Sequence, residues 1–427
     1  MSSTANTVRL PHRRVVLENG VVLVFAEQAH SSKLFLLASI DAGARCEERE
    51  RAGIAQLAIR VLEEGSERYP GQALSRAIEG VGGTLEADGD GLAVEVNAED
   101  WALAIDVLSD ALLHSSCDEE AFERQQELQL SEIQAELDEP RTQALLRFRR
   151  MVYGDQHPFG RPTQGNEESV ALATLEDVQR FHAEWFAPAR CVVVVSGRIL
   201  DPARLEAALA SAFGAWSNPG ALPLPPYPEL ELASSRRVEI QREDRSQVNL
   251  YLGHLGVRRV DPRFPALMLL DHVLGTGSGF TDRLSKRLRD DWGLAYSVYA
   301  TISSSAGREP GTFLAYIGTS PDKVQQAIDG MLEEFERIRR EAPSPAELEL
   351  AKSYLLGSWP FRFERNSQRA RWLLAAERLL LPSDEVELFP ERLRAVQADE
   401  VLEAARACLH PEGLQAALVG PIDAVRL

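Results

Sequence analysis

Lysine is nearly absent from this chain. Of 46 basic side chains in 427 residues, only Lys33, Lys286, Lys323 and Lys352 are lysines, and the rest are arginines. The skew reads as a trace of genomic base composition. The 65 acidic residues leave a formal charge of −19. So acidic a chain lacks the clustered cations that nucleic acid or an anionic membrane requires, and neither is expected as a partner. A solvated acidic surface is the ordinary use of such charge. Long apolar runs are missing too. The longest, residues 21–26 and 191–195, are strand-length, far short of the roughly 20 residues that span a bilayer. The N-terminus, MSSTAN, shows no basic stretch followed by an apolar one, so no export signal is visible and a cytoplasmic location is expected. Cys46, Cys117, Cys191 and Cys408 are widely separated and form no CxxC. They read as reduced, mostly buried thiols rather than a disulfide or zinc framework.

Self-contained catalytic motifs are lacking as well. The sequence holds no GxSxG, no P-loop and no GxGxxG after a strand. No two of its eight histidines lie at the i, i+4 spacing that puts two imidazoles on one helical face for zinc. The glycine-rich residues 275–279 have the wrong spacing for a phosphate loop and read as a flexible turn opening a helix.

What remains is a globular composition, 44% apolar and 26% charged, with room for two or three domains. One break stands out. Residues 218–227 read NPGALPLPPY, and proline both removes backbone donors and disfavours helix before it, so an extended linker is expected. The expected organisation is an N-terminal domain over residues 1–218, a linker over 219–236 and a C-terminal domain over 237–427.

Both halves show the same order of elements. The first predicts strands at 15–17, 21–25 and 34–40, then helices near 53–63 and 72–81. Gly82-Gly83 turns into a strand in which Leu92, Val94 and Val96 alternate. Helices follow to about residue 114 and over 119–137, and Pro140 suits the first turn of the next. Thr174 opens a helix with a capping-box pattern. Residues 191–197 form a buried strand and 201–213 a helix. The second half predicts strands at 238–241, 248–253, 295–303 and 312–318. Its helices fall at 264–274, 281–291, 322–339, 345–355 and 368–381. Ala104-Ile105-Asp106 recurs as Ala327-Ile328-Asp329, which together with the repeated order points to an internal duplication. The expected class is α+β, as two tandem homologous domains with mixed sheets and helices packed on one face.

Several blocks then carry a resemblance. Residues 53–66, GIAQLAIRVLEEGS, and residues 82–87, GGTLEA, resemble the GxxHxxEH helix and the GGxxNA turn of the pitrilysin/insulinase-type zinc peptidases. Glu132-Ile133, the Asp138-Glu139-Pro140 step, residues 153–165 and residues 191–197 continue the pattern. In the second half, residues 283–297, RLSKRLRDDWGLAYS, closely match the family's RLxxxLRxxxGLAYS. The resemblance implies a metallopeptidase-half architecture. It also implies sites. In HxxEH the histidines hold zinc and the glutamate activates water. Here Gln56, Ile59 and Arg60 stand at those positions, and only Glu132, aligned with the third ligand, survives. Gln is a poor zinc ligand, Ile accepts no proton, and a permanent guanidinium repels a cation, so no zinc is expected in this chain. Arg60 can occupy the emptied place and pair with Glu132. Glu86 replaces the family's Asn.

Under the repeat, Asp271-His272 matches half of HxxEH, with Met268 at the first position. That match reads as chance. The retained piece is Arg289 with Tyr296. Gly293 is placed to end the helix and turn the chain into a strand, bringing a guanidinium and a phenol together. In the family such a pair anchors substrate held at the zinc of the other half. The resemblance therefore implies a heterodimer, in which an HxxEH-bearing homologous subunit supplies zinc and this chain supplies Arg289 and Tyr296 in trans to a peptide. The alternative is a catalytically inactive structural or peptide-binding subunit, a homodimer when isolated.

Overall fold

The computed structural model describes residues 8–243 and 245–427. Residues 1–7, which include the segment read for an export signal, lie outside the described residues. The first half runs β1 (Arg13–Val16), β2 (Val22–Glu27), β3 (Lys33–Ile40), α1 (Ile54–Arg60) and α2 (Ala73–Glu79). It continues with β4 (Thr84–Asp88), β5 (Gly91–Asn97), α3 (Trp101–Leu113), α4 (Glu119–Asp138), α5 (Pro140–Tyr153), α6 (Glu167–Ala171) and α7 (Leu175–Trp185), and closes with β6 (Cys191–Gly197) and α8 (Pro202–Gly214). The second half runs β7 (Arg237–Arg242), β8 (Val248–Leu255), α9 (Phe264–Leu274), a π-helix over Ser285–Asp291, β9 (Ala295–Thr301) and β10 (Thr312–Thr319). Helices α10 (Val324–Arg340), α11 (Pro345–Ser358), α12 (Asn366–Arg378), α13 (Glu385–Ala395) and α14 (Ala398–Cys408) lead to β11 (Gln415–Gly420).

Local chemistry sets many of these ends. The Asp118 carboxylate accepts the Ala121 N–H at 2.8 Å and starts α4. Pro140 occupies the first turn of α5, where its missing N–H is not needed. Reciprocal capping boxes open α7 (Thr174 with Asp177) and α11 (Ser344 with Glu347). The structure departs from expectation in three ways. The strand after Gly83 is a hairpin, because Gly89 at φ +61° folds β4 back onto β5. The helix expected over 281–291 is π-wound through most of its length. Helices α6, α13 and α14 and strand β11 were not anticipated, and α13 carries Pro390 inside it.

The first sheet has strand order β1-β2-β6-β3-β5-β4, and the second β7-β11-β8-β10-β9. In each, one pair is parallel, β2 with β6 and β7 with β11, and the rest are antiparallel. The second sheet thus repeats the first, position for position, without β1. Ala104-Ile105 and Ala327-Ile328 are buried at matching places in α3 and α10.

Each sheet packs one face on helices of its own half. The other face is covered by the opposite half. Helix α12 crosses β3 and β6, with Trp359, Phe363 and Phe389 beside it, and α5 lies on β8 and β11. The proline-rich segment has no regular element but is pinned to the first half. The Leu222 N–H donates to Glu184 O at 2.9 Å, and the Tyr227 ring stacks on His157 at 5.6 Å. No described helix is long and apolar enough to cross a membrane.

Phe148 on α5 is fully buried against Tyr251, with ring centroids 6.3 Å apart. Phe148→Ala is expected to lose about 3–5 kcal/mol of stability in urea denaturation. Hydrogen exchange should show lost protection in β8 and β11, the strands that α5 covers. Loss confined to the first half would contradict the exchange of helices between halves.

Candidate functional site

Helix α1 begins at Gly53, whose φ of +98° places it where a side chain is strained, and whose added Cβ would meet Gln164 O at 2.5 Å. Its first N–H groups are satisfied from a distance. The half-buried Glu47 carboxyl accepts from Gly53 N and Ala55 N at 3.0 and 2.7 Å. Burial pushes this carboxyl up to about 7, against the pull of those two bonds. Ile59 then points into the core, and Gln56 and Arg60 are half-buried. The Arg60 guanidinium reaches across to α4 and donates to Glu132 at 2.5 Å. An amide, an alkyl group and a paired guanidinium do not fit a zinc ion. No group of three or more His, Cys, Asp or Glu able to hold a metal occurs among the described residues.

Beside the Val61–Glu63 turn that follows α1 lies β4, an edge strand of the first sheet. Its Ala87 N–H donates to the Glu63 carboxyl, so one outward backbone group of this edge is already taken. Glu63 follows α1 in a short 3₁₀ turn. Burial, then the charges of Glu64 and Glu86, push its carboxyl up to about 7, and Arg60 only partly offsets them. Glu86 itself reaches Arg371 of α12 at 3.5 Å.

Arg289 and Tyr296 lie on two irregular elements. In the π-helix the Trp292 N–H bonds Arg287 O at 3.1 Å, one residue further back than in an α-helix. Gly293 at φ +59° ends it, with its N–H on Arg289 O at 3.1 Å and the Leu294 N–H on Leu288 O at 2.8 Å. The chain enters β9 at a bulge. Ala295 faces Thr319 and Val298 faces Ile317, so Tyr296 and Ser297 together oppose Gly318. The bulge turns Tyr296 outward, leaving it 86% exposed. The Arg289 guanidinium carbon lies 5.6 Å from the Tyr296 ring centroid. Neighbouring Arg283 is held by Glu347 at 2.7 Å and Arg287 by Glu334 at 2.8 Å. Arg289 makes no ion pair among the described residues, although two aspartates follow it in sequence. The pair is thus two free donors on an exposed edge.

The Asp271-His272 half-motif is structural. Asp271 is buried and accepts from Thr301 Oγ1 and Ile302 N at 2.7 Å and from Ser303 N at 2.9 Å, tying α9 to the end of β9. His272 packs against the Tyr354 ring. Sequence reasoning missed Glu47 and Glu63. Each acts on backbone groups made adjacent only by folding, so no local spacing signals them.

The chain matches the family model "Insulinase (Peptidase family M16)" over residues 21–166 and the model "Peptidase M16 inactive domain" over 173–355. An uncharacterized zinc protease of Mycobacterium bovis is 28% identical over 419 residues, covering 96% of this chain and 94% of that protein. A probable mitochondrial-processing peptidase subunit beta of Arabidopsis thaliana is 23% identical, covering 99% of this chain and 81% of that protein. The crystal structure of a peptidase M16 inactive domain from Pseudomonas fluorescens superposes with a TM-score of 0.88 at 22% identity, over 98% of this chain and 100% of that one.

Glu63→Gln keeps an oxygen acceptor for Ala87 but cannot ionise. Glu63 is raised from its ordinary 4.5 to about 7 on folding, so the folded state holds an extra proton between those values. Its stability contribution is therefore lost as pH rises through that window. Thermal melts are expected to show Glu63→Gln more stable than wild type at pH 8, with the gap closing near pH 4.5. A gap of equal size at both pH values would refute this.

Proposed function

The chain belongs to the insulinase (M16) peptidase family, and we propose that it is the zinc-free subunit of a two-chain metallopeptidase acting on peptides. Zinc and the general base are assigned to a homologous partner with an intact HxxEH helix. This chain contributes Arg289 and Tyr296 and one side of the peptide-binding space between the two chains.

One observation carries the reading. The metal helix is closed by an Arg60–Glu132 pair, while Arg289 and Tyr296 are held free of counterions on a π-turn and a bulge. Such irregular turns recur where a side chain is aimed at a ligand. A guanidinium and a phenol both donate hydrogen bonds without first losing a proton. Aimed at a peptide carbonyl, they anchor it in the ground state. They bind more strongly once its oxygen becomes the anion of a tetrahedral intermediate. The peptide is proposed to add as a strand to the partner's edge, because β4 here is occupied by its own Glu63. The second reading, an inactive structural or peptide-binding subunit, draws on the same closed helix and edge. It leaves the unpaired guanidinium of Arg289 without a role.

The test mixes this chain with an HxxEH-bearing homologue and follows cleavage of an unstructured peptide. Wild type should support turnover. Arg289→Ala and Tyr296→Phe should lower kcat on the order of 10²–10³-fold, the usual effect of removing a donor to an oxyanion. Equal activity of all three would assign the chain to the structural reading. Metal analysis of the chain alone should find zinc well below one per chain, whereas stoichiometric zinc would overturn the assignment of Arg60.

A further inference from the structure

We infer that Phe280 is a positioning residue for Arg289, holding its guanidinium flat through the face of the aromatic ring; this rests on the role given to Arg289 above. The guanidinium carbon lies 3.5 Å from the Phe280 ring centroid, closer than any other cation–ring pair among the described residues. A ring face carries negative charge density and attracts a cation placed over it. The consequence for the donors is specific. A carboxylate partner would occupy the N–H edge of Arg289. Stacking fixes the plane and leaves the in-plane N–H groups free for a substrate carbonyl.

Phe280 has no other evident reason to be where it is. It is 50% exposed, so burial of its ring is incomplete. Its backbone sits at φ +62°, and among described non-glycine residues only Leu380 shares a positive φ. A bulky side chain there is strained, and strain of this kind collects at functional sites. Glycine would take that conformation freely, and the preceding Gly279 does so at φ +66°. The Thr281 hydroxyl bonds Ser278 O at 3.0 Å and closes the turn around it. Strained backbone, half-exposed ring and unpaired arginine thus meet at one point, beside the bulge that exposes Tyr296.

Three substitutions separate the ring face from mere apolar bulk, read in the two-chain peptidase assay. Phe280→Leu keeps size and loses the face, so kcat should fall on the order of tenfold with KM little changed. Phe280→Trp keeps the face and should return kcat to within about threefold of wild type. Phe280→Gly relieves the backbone and should melt no lower than wild type, yet be as slow as Phe280→Leu. An independent readout needs no partner. The Arg289 Nε–H resonance, assigned by its disappearance in Arg289→Lys, should carry an aromatic ring-current shift that Phe280→Leu removes and Phe280→Trp keeps. Phe280→Leu matching wild type in both rate and shift, while Arg289→Ala is slow, would overturn the role of Phe280 alone. An Arg289→Ala chain as active as wild type would instead overturn the role of Arg289, and that of Phe280 with it.

Discussion

Alternate residues on a strand point to opposite faces, so Val24, Phe35, Leu37, Val192 and Val194 of the first sheet point away from its own helices. Among the described residues of the first half, only Val8 and Leu10, ahead of β1, join that face from outside the sheet. Trp359, Phe363, Leu373 and Phe389 of the second half cover it. The debt is mutual, since Tyr251, Tyr316, Ala417 and Val419 of the second sheet are covered by Ala144 and Phe148 of α5. Each large side chain buried this way contributes about 1.5–3 kcal/mol. The ion pairs along the same seam, such as Arg308 with Asp41 at 2.8 Å and Arg147 with Glu239 at 2.6 Å, are partly exposed. Pairs of that kind contribute about 1 kcal/mol or less. Apolar exchange, not charge, joins the halves.

That exchange fixes the two sheets as equivalent objects and therefore fixes their outer strands. β4 and β9 hold the same place in the two strand orders. They have diverged in opposite directions. β4 pairs with β5 in unbroken register, has its Ala87 N–H taken by Glu63, and is tied to the exchanged helix α12 through Arg371 and Asp88 at 2.7 Å. β9 slips register against β10 and turns Tyr296 into solvent. A duplicated fold carries two copies of one edge, so one copy can close while the other keeps its reach.

Much of this was legible in the sequence wherever the cause is local. The run CVVVVSG gave β6 at its observed ends, and Pro140 and Thr174 marked helix starts through their own local chemistry. The Arg60–Glu132 contact followed from aligned positions on two helices. Illegible features have non-local causes. Pro390 reads as a helix breaker, yet α13 runs through it with Phe389 and Leu393 buried in different cores. The π-turn before Gly293 lies against α10 and the bulge after it against β10, both distant in sequence. The left-handed Phe280 contradicts the preference of its own residue type, which is where local reading fails and function begins.

The helix that would carry the metal is held in place by specific contacts. α1 has seven residues, too few to be stable alone, and depends on its packing against α7 and α4 and on the Glu47 cap. A metal shared between α1 and α4 would tie the two helices together. In this chain the Arg60 guanidinium makes that tie, with a side chain only 15% exposed. Replacing Arg60 alone would leave Glu132 without its cation, beside Glu136, whose carboxyl is already raised by burial and by Glu132. Glu132 is itself 38% exposed, so its carboxylate keeps contact with water and the pair contributes only about 1 kcal/mol. Zinc ligation at this helix would require Gln56, Ile59 and Arg60 all to differ, and a carboxylate at the core-facing Ile59 would bury a charge. Where a metal would need ligands, α1 presents an amide, an alkyl group and a guanidinium already paired with Glu132.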